Sequence, residues 1–203
     1  MKQIKWIVIV FFFTGCSTPA SEIKQSTTND TASPVTGDTP SDIPPGAIRE
    51  KFADNADLEK VTLKDGSGQL AAEGTMLKGI KEGVWAELNS NGTVKSVTPY
   101  VNGKKEGWYV ELNSNGQFTK RILYHNNMRH GEYKEYNYST LKEERFHQND
   151  KLEGTAKIYY DNGKMMEEGN YKGGTRDGLS RWYDQEGKMT IEYEYKNGGL
   201  IKK

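Results

Sequence analysis

From about residue 58 onward, apolar and polar positions alternate in short blocks that return with a fixed period. The blocks are stretches such as Val84-Trp85-Ala86-Glu87-Leu88 and Lys157-Ile158-Tyr159-Tyr160, short and rich in β-branched and aromatic residues, and they predict strands. Taking Gly83, Gly107, Gly131, Gly154 and Gly178 as anchors gives spacings of 24, 24, 23 and 24 residues. Seven residues before the anchors stand Met76, Tyr100, Tyr124, His147 (beside Phe146) and Tyr171. Five residues after them stand Leu88, Leu112, Tyr136, Tyr159 and Tyr183. Several columns in one register define an internal repeat, which governs the fold.

Each period also holds two turn signals. Gly79, Gly103, Asn127, Asp150 and Gly174 lie four residues before the anchors, and Gly92, Gly116, Thr140, Gly163 and Gly187 lie nine after them. Asn89-Ser90-Asn91-Gly92 returns as Asn113-Ser114-Asn115-Gly116 and, shortened, as Asp161-Asn162-Gly163. Asn-Gly between apolar runs is a hairpin signal, because both residues tolerate positive φ. Two strands and two turns per 24 residues predict an all-β fold, an elongated antiparallel meander of stacked β-hairpins. Gly68 before the first unit, and Tyr195 and Gly198 after the last, keep the phase, so the repeat domain is placed at 58–203. Residues two and five after an anchor would face opposite sides of a regular strand. Either a bulge intervenes or both faces carry apolar groups. A β-branched residue at Gly107 strains its turn if φ there is positive.

Composition agrees with a thin sheet. Hydrophobic residues make up 34% and mean hydropathy is −0.85, yet aromatics reach 11%, with 12 Tyr, 4 Trp and 22 Gly. Disordered chains are usually poor in aromatics. Lys+Arg and Asp+Glu both total 28, which gives no electrostatic reason to expect nucleic acid. The only cysteine is Cys16, so no disulfide forms within the chain and no Cys-based metal site is available.

The first 45 residues follow a different pattern. Lys2 and Lys5 form a basic start, and Trp6 to Phe13 are eight consecutive apolar residues, too short to span a bilayer but suited to a signal peptide. Phe13-Thr14-Gly15-Cys16 resembles the bacterial lipobox, with Phe where Leu is usual. The resemblance implies acylation of Cys16 and removal of residues 1–15, with a lipid membrane as one partner. Two or three acyl chains anchor stably where one would be marginal. Ser17 is not the Asp associated with inner-membrane retention, so a cell-envelope location is expected, at the outer membrane if the cell is Gram-negative. Of residues 17–45, eleven are Ser or Thr and five are Pro, so 16–45 reads as the lipidated cysteine and a disordered tether. Residues 46–57 are expected to form a short helix or an N-terminal cap on the first strand.

The units Glu82-Gly83-Val84-Trp85-Ala86-Glu87-Leu88-Asn89-Ser90-Asn91-Gly92 and Gly169-Asn170-Tyr171-Lys172-Gly173-Gly174-Thr175-Arg176-Asp177-Gly178 resemble MORN-type repeats. The likeness is closest to the bacterial variant found in YwqK-like antitoxins. It implies a twisted sheet of stacked hairpins used as a protein-interaction scaffold, and a toxin-neutralising role as a special case. The repeat-defining glycines are Gly83, Gly92, Gly103, Gly107, Gly116, Gly131, Gly154, Gly163, Gly174, Gly178 and Gly187. The third unit departs from the pattern: Thr140 and Asn127 replace turn glycines and one residue is missing. Simple drift in a surface turn is the preferred reading of that departure, ahead of a kink or an altered binding surface.

Candidate chemistry is sparse. His125, His130 and His147 show no ligand spacing and no HExxH, and are read as turn or surface histidines with no metal or other cofactor. No GxSxG elbow accompanies the serines, so catalysis is not expected. Lys81, Lys105, Arg129 and Arg176 lie two residues before anchors, and Glu82, Glu106, Glu153 and Asp177 one before. The pair of columns reads as a mixed-charge solvated edge. The stretch Gly107–Gly116 also looks like a choline- or cell-wall-binding repeat, so a glycan is the alternative partner. Position two after the anchor runs Trp85, Tyr109, Tyr133, Ala156, Ser180, so most rings are expected to pack between strands. Tyr133, Tyr136, Tyr138 and Phe146, in the least regular unit, are the candidate contacts for a protein partner.

Overall fold

The structure is a computed structural model that describes residues 43–202. The expected signal peptide 1–15, the expected lipidation at Cys16 and the expected tether as far as residue 42 lie outside the described residues. Sixteen strands form one antiparallel sheet whose neighbours follow chain order. They are β1 (Ile48–Lys51), β2 (Leu58–Lys64), β3 (Leu70–Leu77), β4 (Ile80–Leu88), β5 (Val94–Val101), β6 (Lys104–Lys105), β7 (Gly107–Leu112) and β8 (Phe118–His125). The second half holds β9 (Met128–Asn137), β10 (Thr140–Gln148), β11 (Lys151–Leu152), β12 (Gly154–Tyr159), β13 (Met165–Lys172), β14 (Thr175–Tyr183), β15 (Met189–Lys196) and β16 (Gly199–Lys202). The two-residue strands β6 and β11 pair only with β5 and β10. The fold is thus the all-β hairpin meander that the repeat predicts.

Two kinds of turn alternate, for local reasons. At Asn102-Gly103, Asn126-Asn127, Asn149-Asp150, Gly173-Gly174 and Asn197-Gly198 both residues have positive φ, as two-residue hairpins with right-twisted strands require. The longer Asn-Ser-Asn-Gly turns close with Asn89 N–H donating to Thr93 O and Gly92 N–H to Asn89 O, repeated by Asn113/Gln117 and Gly116/Asn113. After each, the returning strand carries one extra residue: Lys95, Thr119, Met166 and Thr190 have no register partner on the outgoing strand. The third unit replaces this turn with a two-residue one, Tyr138 (φ 46°) and Ser139 (φ 69°). That is where its missing residue went. Thr140 starts β10 and is not a turn residue.

The anchors have a different role from the one their spacing suggests. All eleven repeat-defining glycines have positive φ, but Gly107 (φ 100°) stands in the strand region, where four residues, Glu106–Tyr109, face two, Thr98 and Pro99. It serves a bulge, and the turn itself is at Asn102-Gly103. The bulge on the returning strand lies opposite positions four and five after the anchor, not within them. Residues two and five therefore do face opposite sides, and both faces carry apolar groups.

Call the face of Met76, Tyr100 and Trp85 face A, and the other face B. The buried apolar residues Val61, Met76, Trp85, Tyr100 and Ile122 all lie on face A. Ile43 joins Val61, Met76, Trp85 and Tyr100 in one cluster, with Ala47 and Leu63 against it. Two expectations are corrected here. Residues 43–45 are expected within a disordered tether, but Ile43 is 8% exposed and packs in the cluster, where this apolar side chain closes its first end. No helix forms over 46–57: Ile48–Lys51 is a strand paired with β2, so the open edge of the sheet overrides the helix preference of Arg, Glu and Lys.

Gly74 shows how tight face A is. A Cβ there would fall inside the Trp85 ring, which covers the glycine and donates its Nε1–H to Thr75 O at 2.9 Å. Gly74→Ala is expected to cost about 2 kcal/mol by overpacking, read as a lower urea midpoint with an unchanged slope. Gly92→Ala meets open space and carries only the positive-φ penalty, so it should cost less, about 1 kcal/mol.

Candidate interaction surface

Face A is built from columns that the repeat stacks across strands. Two residues before the anchors stand the cations, and they do not form a solvated edge. Lys81 Nζ sits 5.0 Å from the Trp85 ring and 5.1 Å from Tyr100, and Lys105 Nζ 5.6 Å from Tyr124. The Arg176 guanidinium lies 5.2 Å from Tyr171, 5.3 Å from Trp182 and 5.7 Å from Tyr195. It also donates to Ser180 Oγ at 2.9 Å and to Glu167, while Ser180 itself is fully buried. The aromatic column forms a cage in the last unit, and the chain's own arginine fills it. Desolvated cation–π contacts of this kind are worth about 2 kcal/mol. In the third unit Arg129 instead donates from Nε to Asp150 Oδ1 at 3.1 Å, and in the fourth unit Leu152 occupies the column.

The acids one residue before the anchors act across repeats. Glu82, Glu106, Glu153 and Asp177 accept the backbone N–H of Asn102, Asn126, Gly173 and Asn197, the first left-handed residue of the next turn, at 2.8–3.2 Å. One residue further on, Gly103, Asn127, Asp150, Gly174 and Gly198 donate to the carbonyls of Lys81, Lys105, Arg129, Leu152 and Arg176. His130 takes the acid's place in the third unit and meets Asn149 Oδ1 at 3.0 Å. The acid reappears at Asp150, which accepts from Arg129 N–H. The Asn197 N–H and the Lys196 ammonium hold the Asp177 carboxyl below its ordinary value of 3.8.

The histidines occupy three settings. His125 Nδ1 lies 2.9 Å from Glu106 Oε1, and its ring is 5.8 Å from His130. His147 is 1% exposed and packs edge-on to Tyr133. Among the described residues no group of three or more His, Cys, Asp or Glu is placed to hold a metal ion. Face A carries an open polar groove of about 430 Å³, lined among others by Lys105, Tyr109, Glu111, Lys120 and Tyr124. Tyr109 donates to Glu111 Oε2, and burial together with that carboxylate raises its pKa well above 10.

Face B divides into two halves. On β10–β15 one row runs Glu144, Lys157, Glu168, Arg181, Glu192 across successive strands, alternating in sign. Lys157–Glu144 (3.2 Å), Arg181–Glu168 (3.1 Å) and Arg181–Glu192 (2.7 Å) close it. Partial burial alone would raise Glu144 and Glu168, but hydrogen bonds from Tyr159 and Tyr183 and from the paired cations hold both below the usual carboxylate value. On β4–β8 the same row is Ala86, Val97, Val110, and its neighbour runs Val84, Pro99, Trp108, Leu123. Leu88–Val94 and Leu112–Phe118 extend it toward the long turns. Val84 is 60%, Phe118 48% and Trp108 37% exposed. This is a contiguous apolar patch on face B, and exposed apolar surface of this kind is a candidate interaction site.

The four residues expected as partner contacts do not share one surface. Tyr133 lies on face A beneath the Arg145 guanidinium and donates to Glu135. Tyr138 projects from the short turn, 78% exposed. Only Tyr136 and Phe146 are on face B, paired with Leu141 and Glu132 four residues apart along β9. The sequence reading missed the patch of Val84, Pro99, Trp108 and Leu123. Its signal was present: position one after the anchor runs Val84, Trp108, then Glu132, Thr155, Leu179.

The MORN repeat variant family model matches residues 152–172 and 176–197, the fourth and fifth units, which supports reading the sheet as MORN-type repeats. No curated protein matches the chain. A sheet of such hairpins fits a repeat-built interaction module.

Two outcomes follow from the geometry. Arg176→Met keeps volume but leaves Glu167 without its cation and the cage without its charge, and is expected to destabilise the domain by about 2 kcal/mol in urea denaturation. Asp177, with its pKa lowered in the fold, adds stability above the ordinary carboxylate value, and that stability is lost as pH falls through the folded value. The thermal midpoint should therefore drop below about pH 4, and Asp177→Asn should flatten that drop.

Proposed function

We propose that the chain is a lipid-anchored envelope protein whose repeat sheet is a docking scaffold for a protein partner. The observation that carries the docking half is the exposed apolar patch of Val84, Trp108 and Phe118, set on a face whose other half is closed by ion pairs. The anchoring half rests on the lipobox-like Phe13-Thr14-Gly15-Cys16 and on the Ser/Thr/Pro tether, which would hold the sheet away from the membrane. Ser17 favours the outer membrane in a Gram-negative cell. Neutralising a toxin is the special case in which the partner is the toxin.

A second reading, glycan binding, is favoured by one observation, the polar groove with Tyr109 and Tyr124 on face A. Against it, Lys105 already covers Tyr124, and Arg176 fills the only three-ring cage among the described residues.

Chemical cross-linking in intact cells, followed by mass spectrometry, tests the scaffold. One enriched protein, lost when Val84 and Trp108 are both replaced by Ser, is the expected result. Enrichment of muropeptides or glycan without a protein would favour the second reading instead. For the anchor, Cys16→Ser should abolish acylation and release the protein from the membrane fraction. Unchanged sedimentation with membranes would exclude it.

A further inference from the structure

The apolar patch has a size and a charged border that narrow the kind of partner, and this inference rests on the scaffold reading above. Its four strands β4, β5, β7 and β8 span about 19 Å at their usual spacing, and positions one to five after the anchor span about 14 Å. The projected area is about 270 Å², well short of the roughly 800 Å² that each partner of a stable interface buries. A second copy set patch to patch would leave that shortfall. An α-helix of about sixteen residues, about 10–12 Å wide and about 24 Å long, projects an area of about this size.

The border toward β9 adds a sign, whereas on the opposite border Glu73, facing Ala86, is already paired with Lys60 at 3.2 Å. Along the face B row, charges alternate from Lys134 through Glu144, Lys157, Glu168 and Arg181 to Glu192. The alternation breaks at one place. Arg121 stands directly opposite Lys134 in the β8–β9 register, two cations side by side at the edge of the patch. Like charges in that position are destabilising. Lys134 has Glu132 at 3.4 Å on its own strand, whereas Arg121 lies over the Trp108 ring at 4.6 Å, which joins the cation to the patch. A carboxylate arriving from outside would relieve the pair.

We infer that the patch of Val84, Pro99, Trp108, Leu123 and Phe118 takes one amphipathic helix of a partner protein, its apolar stripe on the patch and acidic residues along the flank that meets Arg121 and Lys134. The Ser/Thr/Pro-rich stretch 17–45 lacks an apolar stripe at helical spacing and does not supply such a helix.

The test uses the full chain and two synthetic sixteen-residue helical peptides with the same leucine stripe, one flanked by Glu and one by Lys. The Glu-flanked peptide is expected to bind about tenfold more tightly at low salt and to gain helical circular dichroism. Val84→Ser alone, at the most exposed position of the patch, should weaken it, which keeps the test valid if a Trp108 variant folds poorly. Arg121→Glu with Lys134→Glu should reverse the preference between the peptides. Equal binding of the two, or no reversal, overturns the acidic-helix assignment. Concentration-dependent dimerisation abolished by Val84→Ser, or adsorption of the Cys16→Ser chain to anionic vesicles abolished by the same change, overturns it as well. If neither peptide binds while the cross-linked partner is still lost with Val84 and Trp108, the helix is wrong and the scaffold stands. If the partner is retained, both fall.

Discussion

A sheet one layer thick has no second layer to pack against, and the rest of this structure depends on how it meets that constraint. Among the described residues only a handful of side chains are buried, so most of the holding must be done between neighbouring strands. The recurrent contact is the one between successive turns. An acid before four of the five anchors and the carbonyl before it accept the two N–H groups of the next left-handed turn, as in Glu82 with Asn102 and Lys81 with Gly103. These N–H groups belong to residues that face outward at a hairpin tip, where water would otherwise compete for them. Each unit thereby fixes the geometry of its successor, and stability becomes a sum over neighbours.

The aromatic face solves the same problem differently. Rings in a single layer expose one side, and in three units a lysine or arginine from two residues before the anchor lies over that side. The cation replaces the missing layer: its aliphatic stem covers apolar area while its charged end meets the ring quadrupole. This explains why the aromatic columns look like those of ligand-binding repeats without presenting the open cages such repeats need. It also explains Gly74 and Gly169, where a side chain would collide with Trp85 and with the Arg176 guanidinium (2.7 Å) respectively.

What was legible in the sequence was what is decided locally. Gly and Asn at turns announce positive φ, and the 24-residue period announces the meander, so the fold class needed no tertiary information. The roles of Gly74 and Gly169 were not legible, because their need for a missing side chain comes from a ring or guanidinium on the next strand. The acid staples were hidden for a related reason: Glu106 and Asn126 are twenty residues apart, and the column reads as a solvated charge until the register is known. The third unit was misread because a missing residue was aligned as a replaced glycine, whereas Tyr138 and Ser139 form a shorter turn. Helix preference misled at Ile48–Lys51, where an unpaired neighbouring strand outweighs propensity. Candidate contacts were sought where the pattern is irregular, yet irregularity there reflects a repaired turn, with Asp150 supplying the acid that His130 lacks.

The columns differ in how much they are constrained, and this locates specificity. Positions two and one before the anchor, and seven before it, carry ring cover, turn staples and core, and where the third unit departs from them Arg129 pairs with Asp150 instead. Positions one and three after the anchor point from face B and make no staple. Val84 and Trp108 give way to Glu132 and Thr155, and Ala86 and Val110 to Lys134 and Lys157, with the backbone unaltered. A residue that can pass from valine to glutamate without disturbing the register is free to follow whatever docks on it. The two halves of face B have used that freedom oppositely. One half has become a self-paired ladder of charges, which needs nothing from outside. The other has become apolar surface with a basic border toward β9, and water is a poor neighbour for it. A scaffold of equivalent units thus acquires one site through its unconstrained columns, while the constrained ones keep every unit in place.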